Sequence, residues 1–529
     1  MRIDVECIPQ VLNVSTSIGP CLRTSQLRSC IVRYLPVTSR PSSLASLVIL
    51  VLIAGCSSGA PSSSSSSTTT TTTTTPSIPN LQPFADPTGN VSTYTTAGVI
   101  DESTSFFQPL GTNGRTCATC HQAAQGMTMT PAANTTLFNS TNGTDPLFTA
   151  VDGANYPTAP TGDLTSHSLI LNNGLIRVAE TLPAGTQFTI TALSDPYNCA
   201  IIADPATGRP IISVYRRPLP STSLIFLSNV MWDTRETIQP LATASTFSAN
   251  LDADLTQQLL DAISIHAQGT STPSAAAQTS ILTLEQGLFT AQATDTAAGS
   301  LSSNGASGGA TALAGVNYYP GINDAFGGDP QGKTFNPNVF TLFGAWLNSS
   351  NAQQASIARG EAIFNTAPFQ INNVSGLNSN NTALGNPNAI QATCSTCHDT
   401  PSIGNHSLPL VMDTGQADIA GNVTGLTNGL AALSQPNLPV FQITGCKNAQ
   451  NQPITIVTSD PGKALLTGLC SDVNRVKVPI LRGLAARAPY FHNGSAANLT
   501  QVVNFYNARF GMGLSPQQKT DLVNFLSAL

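Results

Sequence analysis

Apolar side chains recur at helical spacing in four segments of the chain. Residues 251–267 and 282–292 place them three and four positions apart, which predicts amphipathic helices, and 358–364 has the same period. The last segment, 516–529, starts with a proline and predicts a closing helix. Residues 186–193 and 210–216 instead alternate or are rich in β-branched side chains within turn-rich sequence, which predicts an inserted β-hairpin.

The amino-terminal region has the pattern of an export signal. The apolar run 46–55 is too short for a permanent membrane helix, follows two arginines and ends at Cys56. Its Leu-Ile-Ala-Gly-Cys ending resembles a bacterial lipobox, so we expect residues 1–55 to be a signal peptide and Cys56 to carry a lipid anchor in the periplasm. An ordinary cleaved signal is the alternative. Residues 56–80 include an almost pure Ser/Thr run and predict a disordered tether.

The composition narrows the class of protein. Charged residues make up 9% of the 529 positions, aromatic residues 6%, and the formal charge is -6, which excludes a basic nucleic-acid-binding surface. So few aromatic side chains suggest that a large apolar cofactor supplies part of the core.

The sequence contains two CxxCH motifs. They are Cys117, Cys120 and His121 in the first, and Cys394, Cys397 and His398 in the second. Two thiols on one turn next to an imidazole are what covalent attachment of a c-type haem requires, so we predict two covalently bound haem c groups with the histidines as proximal iron ligands. A zinc site is the competing use of this motif, but it normally needs a fourth ligand nearby.

The segment before each motif suggests a diverged internal repeat, because 105–117 and 358–394 show the same order of features. We therefore predict a mainly α protein with two cytochrome c-like haem domains and a small β-hairpin insertion in the first. The expected domains are 81–345 and 346–529, with 294–336, which is rich in Gly and Ala, joining them.

The carboxyl-terminal residues 477–494 and 498–506 closely resemble the bacterial di-haem cytochrome c peroxidase family. Residues 232–236 look like that family's WDGR motif, with Thr234 in place of glycine. The resemblance covers roughly residues 100–529, with an insertion near 138–210. It implies that the first haem reacts with peroxide, that the second receives electrons, and that Trp232 carries electrons between them. A core aromatic residue is the alternative for Trp232.

Two positions depart from the family. Tyr506, 14 residues after His492, stands where the electron-entry haem takes a methionine ligand. A tyrosine ligand resembles the related MauG-type enzymes, which oxidise protein side chains; packing within a helix is the alternative for Tyr506. Arg217, 15 residues before Trp232, replaces an asparagine of the family's interhaem calcium site, and a guanidinium cannot ligate calcium. A calcium site is therefore doubtful.

The resemblance also implies a proton-moving carboxylate on the open face of the first haem. Asp252, Asp254 and Glu236 are the candidates near the expected position, and His266 is a rival as an acid–base group or a sixth iron ligand. A hydrogen-bonded structural histidine is the alternative for His266. The family's switchable distal histidine is replaced by Leu137.

The leading functional expectation is a peroxidase that reduces hydrogen peroxide with electrons from a small periplasmic donor, either a cytochrome c or a cupredoxin. The alternatives are a MauG-like oxidase of a protein substrate and a di-haem electron carrier. An oxidising compartment would also permit a disulfide between Cys446 and Cys470, leaving Cys199 free.

Overall fold

The computed structural model describes residues 76–237, 245–419 and 433–529. The predicted signal, Cys56 and most of the predicted tether lie outside these ranges. The last residues of the tether form strand β1 (Ser77–Pro79), which pairs with β4 (Val99–Asp101). Contacts group Thr72–Leu529 as one unit, and the predicted boundary at residue 345 stays a prediction.

The prediction of a mainly α protein is wrong. Of the described residues, 30% are in helices and 18% in strands. The described α-helices are α1 (Pro131–Thr141), α2 (Ser168–Asn173), α3 (Phe247–Ile265), α4 (Ala275–Gln286), α5 (Ala352–Thr366), α6 (Cys394–Cys397), α7 (Ala464–Thr467), α8 (Leu499–Arg509) and α9 (Pro516–Ser527).

The strands are short and spread along the described chain. Besides β1 and β4, they are β2 (Phe84–Asp86), β3 (Gly89–Thr95), β5 (Ile176–Thr181), β6 (Thr189–Ser194), β7 (Ile201–Ala203), β8 (Pro210–Arg216), β9 (Leu288–Asp295), β10 (Gly299–Ser300), β11 (Phe369–Ile371), β12 (Ile390–Ala392), β13 (Val411–Met412), β14 (Val440–Thr444), β15 (Ile456–Thr458) and β16 (Val476–Lys477). All their pairings are antiparallel. The larger sheets have the orders β10-β9-β3-β2, β15-β14-β6 and β5-β8-β7.

Three of the four predicted helices are confirmed as α3, α5 and α9. The fourth is partly wrong, because α4 ends at Gln286 and the next residues form β9. Gly287 separates the two elements, and β9 pairs along its length with β3, about two hundred residues earlier in the chain. Because this partner is distant in sequence, the pattern of apolar residues in 282–292 could not reveal the strand.

The predicted hairpin is also wrong in its pairing. The strands form, but β6 pairs with β14 in the second half of the chain, whereas β8 lies between β5 and β7. A disulfide between Cys446 and Cys470 connects the end of β14 to the segment after α7. Cys199 is a buried free thiol.

Helices α5 and α9 pack against each other next to the second CxxCH motif. The rings of Phe340, Phe364 and Phe525 contact one another there, with centroids 5.3–5.6 Å apart, and Phe340 meets the other two edge to face. The helices approach so closely that a Cβ on Gly360 would collide with the carbonyl oxygen of Asp521. Cys394 packs against the same apolar cluster. Within the described residues, no helix is long and apolar enough to span a bilayer.

Candidate functional site

Both CxxCH motifs begin on a threonine-capped turn. In the first, the Thr116 hydroxyl accepts from the Thr119 backbone N–H at 3.2 Å, and the Thr119 side chain accepts from the Thr116 N–H at 3.0 Å. In the second, Thr393 and Thr396 form the corresponding capping box at the start of α6. This reciprocal capping satisfies backbone N–H donors at the start of each turn. It thereby holds the turn that carries the two cysteines in one conformation.

The two histidines are oriented in the same way. His121 Nδ1 lies 3.1 Å from the carbonyl oxygen of Met127, and His398 Nδ1 contacts the carbonyl oxygen of Gly404, in each case six residues further along the chain. Because a carbonyl oxygen only accepts hydrogen bonds, this contact favours the tautomer with the proton on Nδ1 and a free lone pair on Nε2, which is the usual arrangement of an iron-ligating histidine. Burial lowers the pKa of both imidazoles, that of His398 to about 4, so the neutral, ligating form prevails.

The thiols of each motif contact different apolar clusters. Cys117 packs against the cluster that contains Phe106 and Leu259, and Cys120 packs against the cluster that contains Phe148. In the second motif, Cys394 and Cys397 likewise contact separate clusters. Two thiols, a neutral imidazole and flanking apolar surfaces fit a covalently attached haem.

His266, at the carboxyl-terminal end of α3, belongs to a charged group beside the first motif. Its Nδ1 contacts Asp152, which also forms a buried ion pair with Arg115. The charge of His266 adds to the burial that lowers the pKa of His121. About a third of the His266 side chain (33%) is exposed.

Glu285, on α4, is a second group beside the first motif. The Ser221 hydroxyl donates to its Oε1 at 2.6 Å, while the buried Oε2 has no hydrogen-bond partner among the described residues. Burial raises the pKa of Glu285 to about 7. Its charge also helps to raise the pKa of the Cys117 thiol, and the neighbouring Leu284 lies in the apolar cluster that Cys117 contacts.

The three carboxylates predicted for the first haem have contacts of their own within the described residues. Asp252 accepts from the Gln286 side chain at 2.8 Å. Asp254 is buried on α3 and lines a small cavity. Burial and Asp261 raise the pKa of Glu236 to about 7. Glu285 and Asp152 are further acidic groups, which sequence reasoning missed.

Trp232 lies where the first half of the chain meets the carboxyl-terminal motif. Its ring nitrogen donates to the Arg217 carbonyl at 2.8 Å, and its own carbonyl accepts from Lys477 N at 2.8 Å. The Trp232 ring meets the His492 ring edge to face, with centroids 6.1 Å apart. The half-buried indole is thus held between the two halves.

A buried ion-pair network surrounds this contact. Arg216 Nε bonds Asp460 Oδ2 at 2.7 Å, and its Nη1 bonds Asp233 Oδ2 at 2.6 Å. His492 Nε2 lies 3.7 Å from Asp460. Because Arg216 is on β8 and Asp460 follows β15, the network ties the residue after Trp232 to the second half of the chain.

Tyr506, on α8, lies beside the second motif. Burial, followed by the charges of Cys397 and Cys394, raises the pKa of its hydroxyl. Phe510, the stacking partner of its ring, packs against the same apolar cluster as Cys397. The Gln416 amide lies 3.5 Å from the hydroxyl, and the Tyr506 ring stacks on Phe510 with centroids 6.1 Å apart.

Arg217 is 5% exposed and donates to backbone carbonyl oxygens. Its Nη1 bonds Gly174 O at 2.8 Å, and its Nη2 bonds Met129 O at 2.7 Å and Arg487 O at 3.2 Å. A fixed positive charge therefore already sits among these carbonyls. The residues at this position do not fit a calcium ion.

The chain resembles known haem proteins over part of its length. No protein-family model matches it. It is 35% identical over 118 residues to the cytochrome-c peroxidase IdrP2 of Denitromonas iodatirespirans, covering 20% of this chain and 31% of that protein. It is 28% identical over 155 residues to the cytochrome-c peroxidase IdrP1 of Pseudomonas sp. (strain SCT), covering 26% of this chain and 37% of that protein. The matched segments thus span about a third of the length of each of these relatives.

A solved structure of a MauG-like protein associated with microbial copper homeostasis aligns with 62% of this chain and 78% of that one. At 15% identity and a TM-score of 0.28, this likeness carries no argument.

Replacing Arg217 tests whether a side chain serves as the cation at this position. Arg217→Met leaves buried carbonyls without a donor, at about 1–3 kcal/mol each, so the free energy of unfolding should fall by at least that amount. Lys447→Met, which removes an exposed cation, should change it by less than about 0.5 kcal/mol. Adding calcium or a calcium chelator should leave the Tm of the parent unchanged, and a calcium-dependent rise would contradict this assignment.

Proposed function

Because the chain is related to the di-haem cytochrome c peroxidase and MauG family, we propose that it reduces hydrogen peroxide at the first of two covalently bound haems. The observation that carries the proposal is the difference between the two motifs. The acid–base groups Glu285, on α4, and His266, which ends α3 and contacts Asp152, belong to helices of the apolar cluster that Cys117 contacts. At the second motif, the ring of Tyr506 instead stacks on Phe510 in the cluster that Cys397 contacts.

The chain's residues hold the two haems in equivalent ways. Cys117 and Cys120 would attach the first and Cys394 and Cys397 the second, while His121 and His398 would offer Nε2 as the ligand atom. When bound, each haem supplies an iron that changes oxidation state, which no side chain here can do. The carbonyl partners of the histidines keep both rings in the ligating orientation.

Reduction of hydrogen peroxide to water breaks the oxygen–oxygen bond and consumes electrons and protons in equal number. Glu285, with a pKa raised to about 7, can accept a proton from one peroxide oxygen and return it to the other near neutral pH. His266, held by Asp152, is placed to exchange protons with solvent because part of its ring is exposed.

Trp232 would carry electrons to the first haem from the second, where the donor would deliver them. Its hydrogen bonds to Arg217 and Lys477 support this role, since they hold the indole between the halves. The proposed donor is a small periplasmic cytochrome c or cupredoxin. The proposed location is the periplasmic face of a membrane, through a lipid on Cys56.

A second candidate is a MauG-like oxidase of a protein substrate. Tyr506 favours it, because its ring stacks on Phe510 in the apolar cluster that Cys397 contacts, where its hydroxyl could ligate the second iron. A phenolate stabilises oxidised iron more than a methionine thioether does.

Glu285→Gln tests the proton-transfer role. The amide keeps the shape but cannot take up a proton, so kcat/KM for peroxide should fall by about 10²–10⁴-fold. The parent's activity should rise as Glu285 ionises through about pH 7, and this limb of the pH profile should be lost.

Glu236→Gln is the matched control, because the pKa of Glu236 is also raised to about 7 but its partner is Asp261. It should keep near-parent activity, and both variants should retain the parent's haem absorbance. Activity lost in Glu236→Gln and kept in Glu285→Gln would contradict the assignment.

Tyr506→Phe tests the ligand of the second iron. It removes the oxygen and keeps the ring, so the low-spin absorption and electron paramagnetic resonance signals should shift and the potential of the second haem should rise. Tyr490→Phe, which loses a hydrogen bond to the Leu484 carbonyl, should leave these signals unchanged. Parent-like signals in Tyr506→Phe would show that another group holds the sixth position, and the MauG-like candidate would lose its main support.

A further inference from the structure

A buried cluster of Asp324, Asp399 and His406 lies behind the second CxxCH motif. These side chains are 1%, 0% and 3% exposed, respectively. His406 Nδ1 lies 2.5 Å from Asp399 Oδ2, and His406 Nε2 lies 3.7 Å from Asp324 Oδ1. One potential ligand atom from each residue lies within 4.8 Å of the others. The sequence analysis treated none of these residues as ligands.

The charges in this cluster do not balance. It holds two carboxylates and one imidazole, so its net charge is negative even with His406 protonated. Among the ion pairs of the described residues, none gives Asp324 or Asp399 a lysine or arginine partner. An uncompensated buried charge is costly, and a bound cation would remove that cost.

Each carboxylate has one oxygen held by the backbone. Asp399 Oδ1 accepts from Ser407 N at 2.7 Å, and Asp324 Oδ2 accepts from Gly328 N at 2.6 Å. The second oxygen of Asp399 pairs with His406 Nδ1, whereas Asp324 Oδ1 is buried without a hydrogen-bond partner among the described residues. The backbone therefore orients the second oxygen of both carboxylates towards the imidazole.

The same loop contains more unpaired buried oxygens. Thr400 Oγ1, Asn405 Oδ1 and Ser407 Oγ also lack partners among the described residues. Buried polar atoms are normally satisfied, so such a concentration in one loop indicates a missing ligand.

We propose that Asp324, Asp399 and His406 bind a divalent transition-metal ion, separate from both haem irons. Two carboxylate oxygens with one imidazole are a donor set that suits zinc, and solvent or a loop oxygen can complete the coordination.

The position of the site gives the metal a structural role at the second haem. Asp399 directly follows His398, and the carbonyl of Gly404, in the same loop, accepts from His398 Nδ1. A metal that joins Asp399 and His406 to Asp324 would hold this loop against residues 318–329. It would therefore stabilise the orientation of the proximal histidine without touching the iron.

Metal analysis of the haem-loaded protein tests the site directly. Protein purified without chelators should contain about one non-haem divalent metal ion per chain by mass spectrometry of the elements. Dialysis against a chelator should remove it and lower the Tm, and zinc should restore both metal content and Tm while the haem iron stays in place. A chain that holds no such metal and whose Tm does not respond to zinc would overturn the proposal.

Two matched variants localise the metal. Asp324→Asn should weaken zinc binding by about 100-fold or more and abolish the zinc-dependent rise in Tm. Asp329→Asn is the control, because Asp329 is also buried in this segment but accepts from Tyr319 Oη, Asn323 N and Gln331 N. It should bind zinc as the parent does. Parent-like zinc binding by Asp324→Asn would overturn the assignment, and if that variant does not fold, the metal content of the parent decides.

Discussion

The hydrogen bond from each proximal histidine to a carbonyl six residues later is the constraint on which the rest of the structure depends. His121 and His398 each meet this partner across a short loop, and each follows a threonine-capped turn. The ring, the turn and the loop are thereby fixed together. Apolar clusters lie beside each motif, where they can contact a haem. A haem would add apolar surface to the core of a chain that has few aromatic residues.

The surroundings then make the two centres different. At the first, α3 and α4 bring His266 and Glu285 to a site that is partly open to solvent. At the second, α8 stacks Tyr506 on Phe510, in the apolar cluster that Cys397 contacts. Two arginines stabilise the region between the two motifs. Arg216 forms buried ion pairs, and Arg217 donates hydrogen bonds to backbone carbonyls. The same local motif can therefore serve two roles, since its neighbours differ.

Sequence reasoning succeeded where the information is local. The period of apolar residues predicted α3, α5 and α9, because each buries one face. It failed for β9 and for the pairing of β6, whose partners are distant in sequence. The sheet content, and with it the fold class, could not be read from periodicity because the strands are short and their pairing is not local.

The same distinction applies to the candidate site. The CxxCH residues and Tyr506 carry their signal in spacing, whereas Asp152 meets His266 across 114 positions. For Glu285 the sequence holds one local indication, since it is a single carboxylate among the apolar residues Ile281, Leu284 and Leu288 at the end of α4 and just after it. Asp324 and His406 gave none, because only the fold brings their loops together.

The central claim is that this chain carries two covalently attached haems, one on each capped CxxCH turn. The most direct test is the mass of the protein after denaturation and acid extraction, which removes any haem that is not covalently bound. The account predicts the polypeptide mass plus two haems, and plus one haem when Cys394 and Cys397 are both replaced by alanine. A parent chain that retains one haem or none would contradict it.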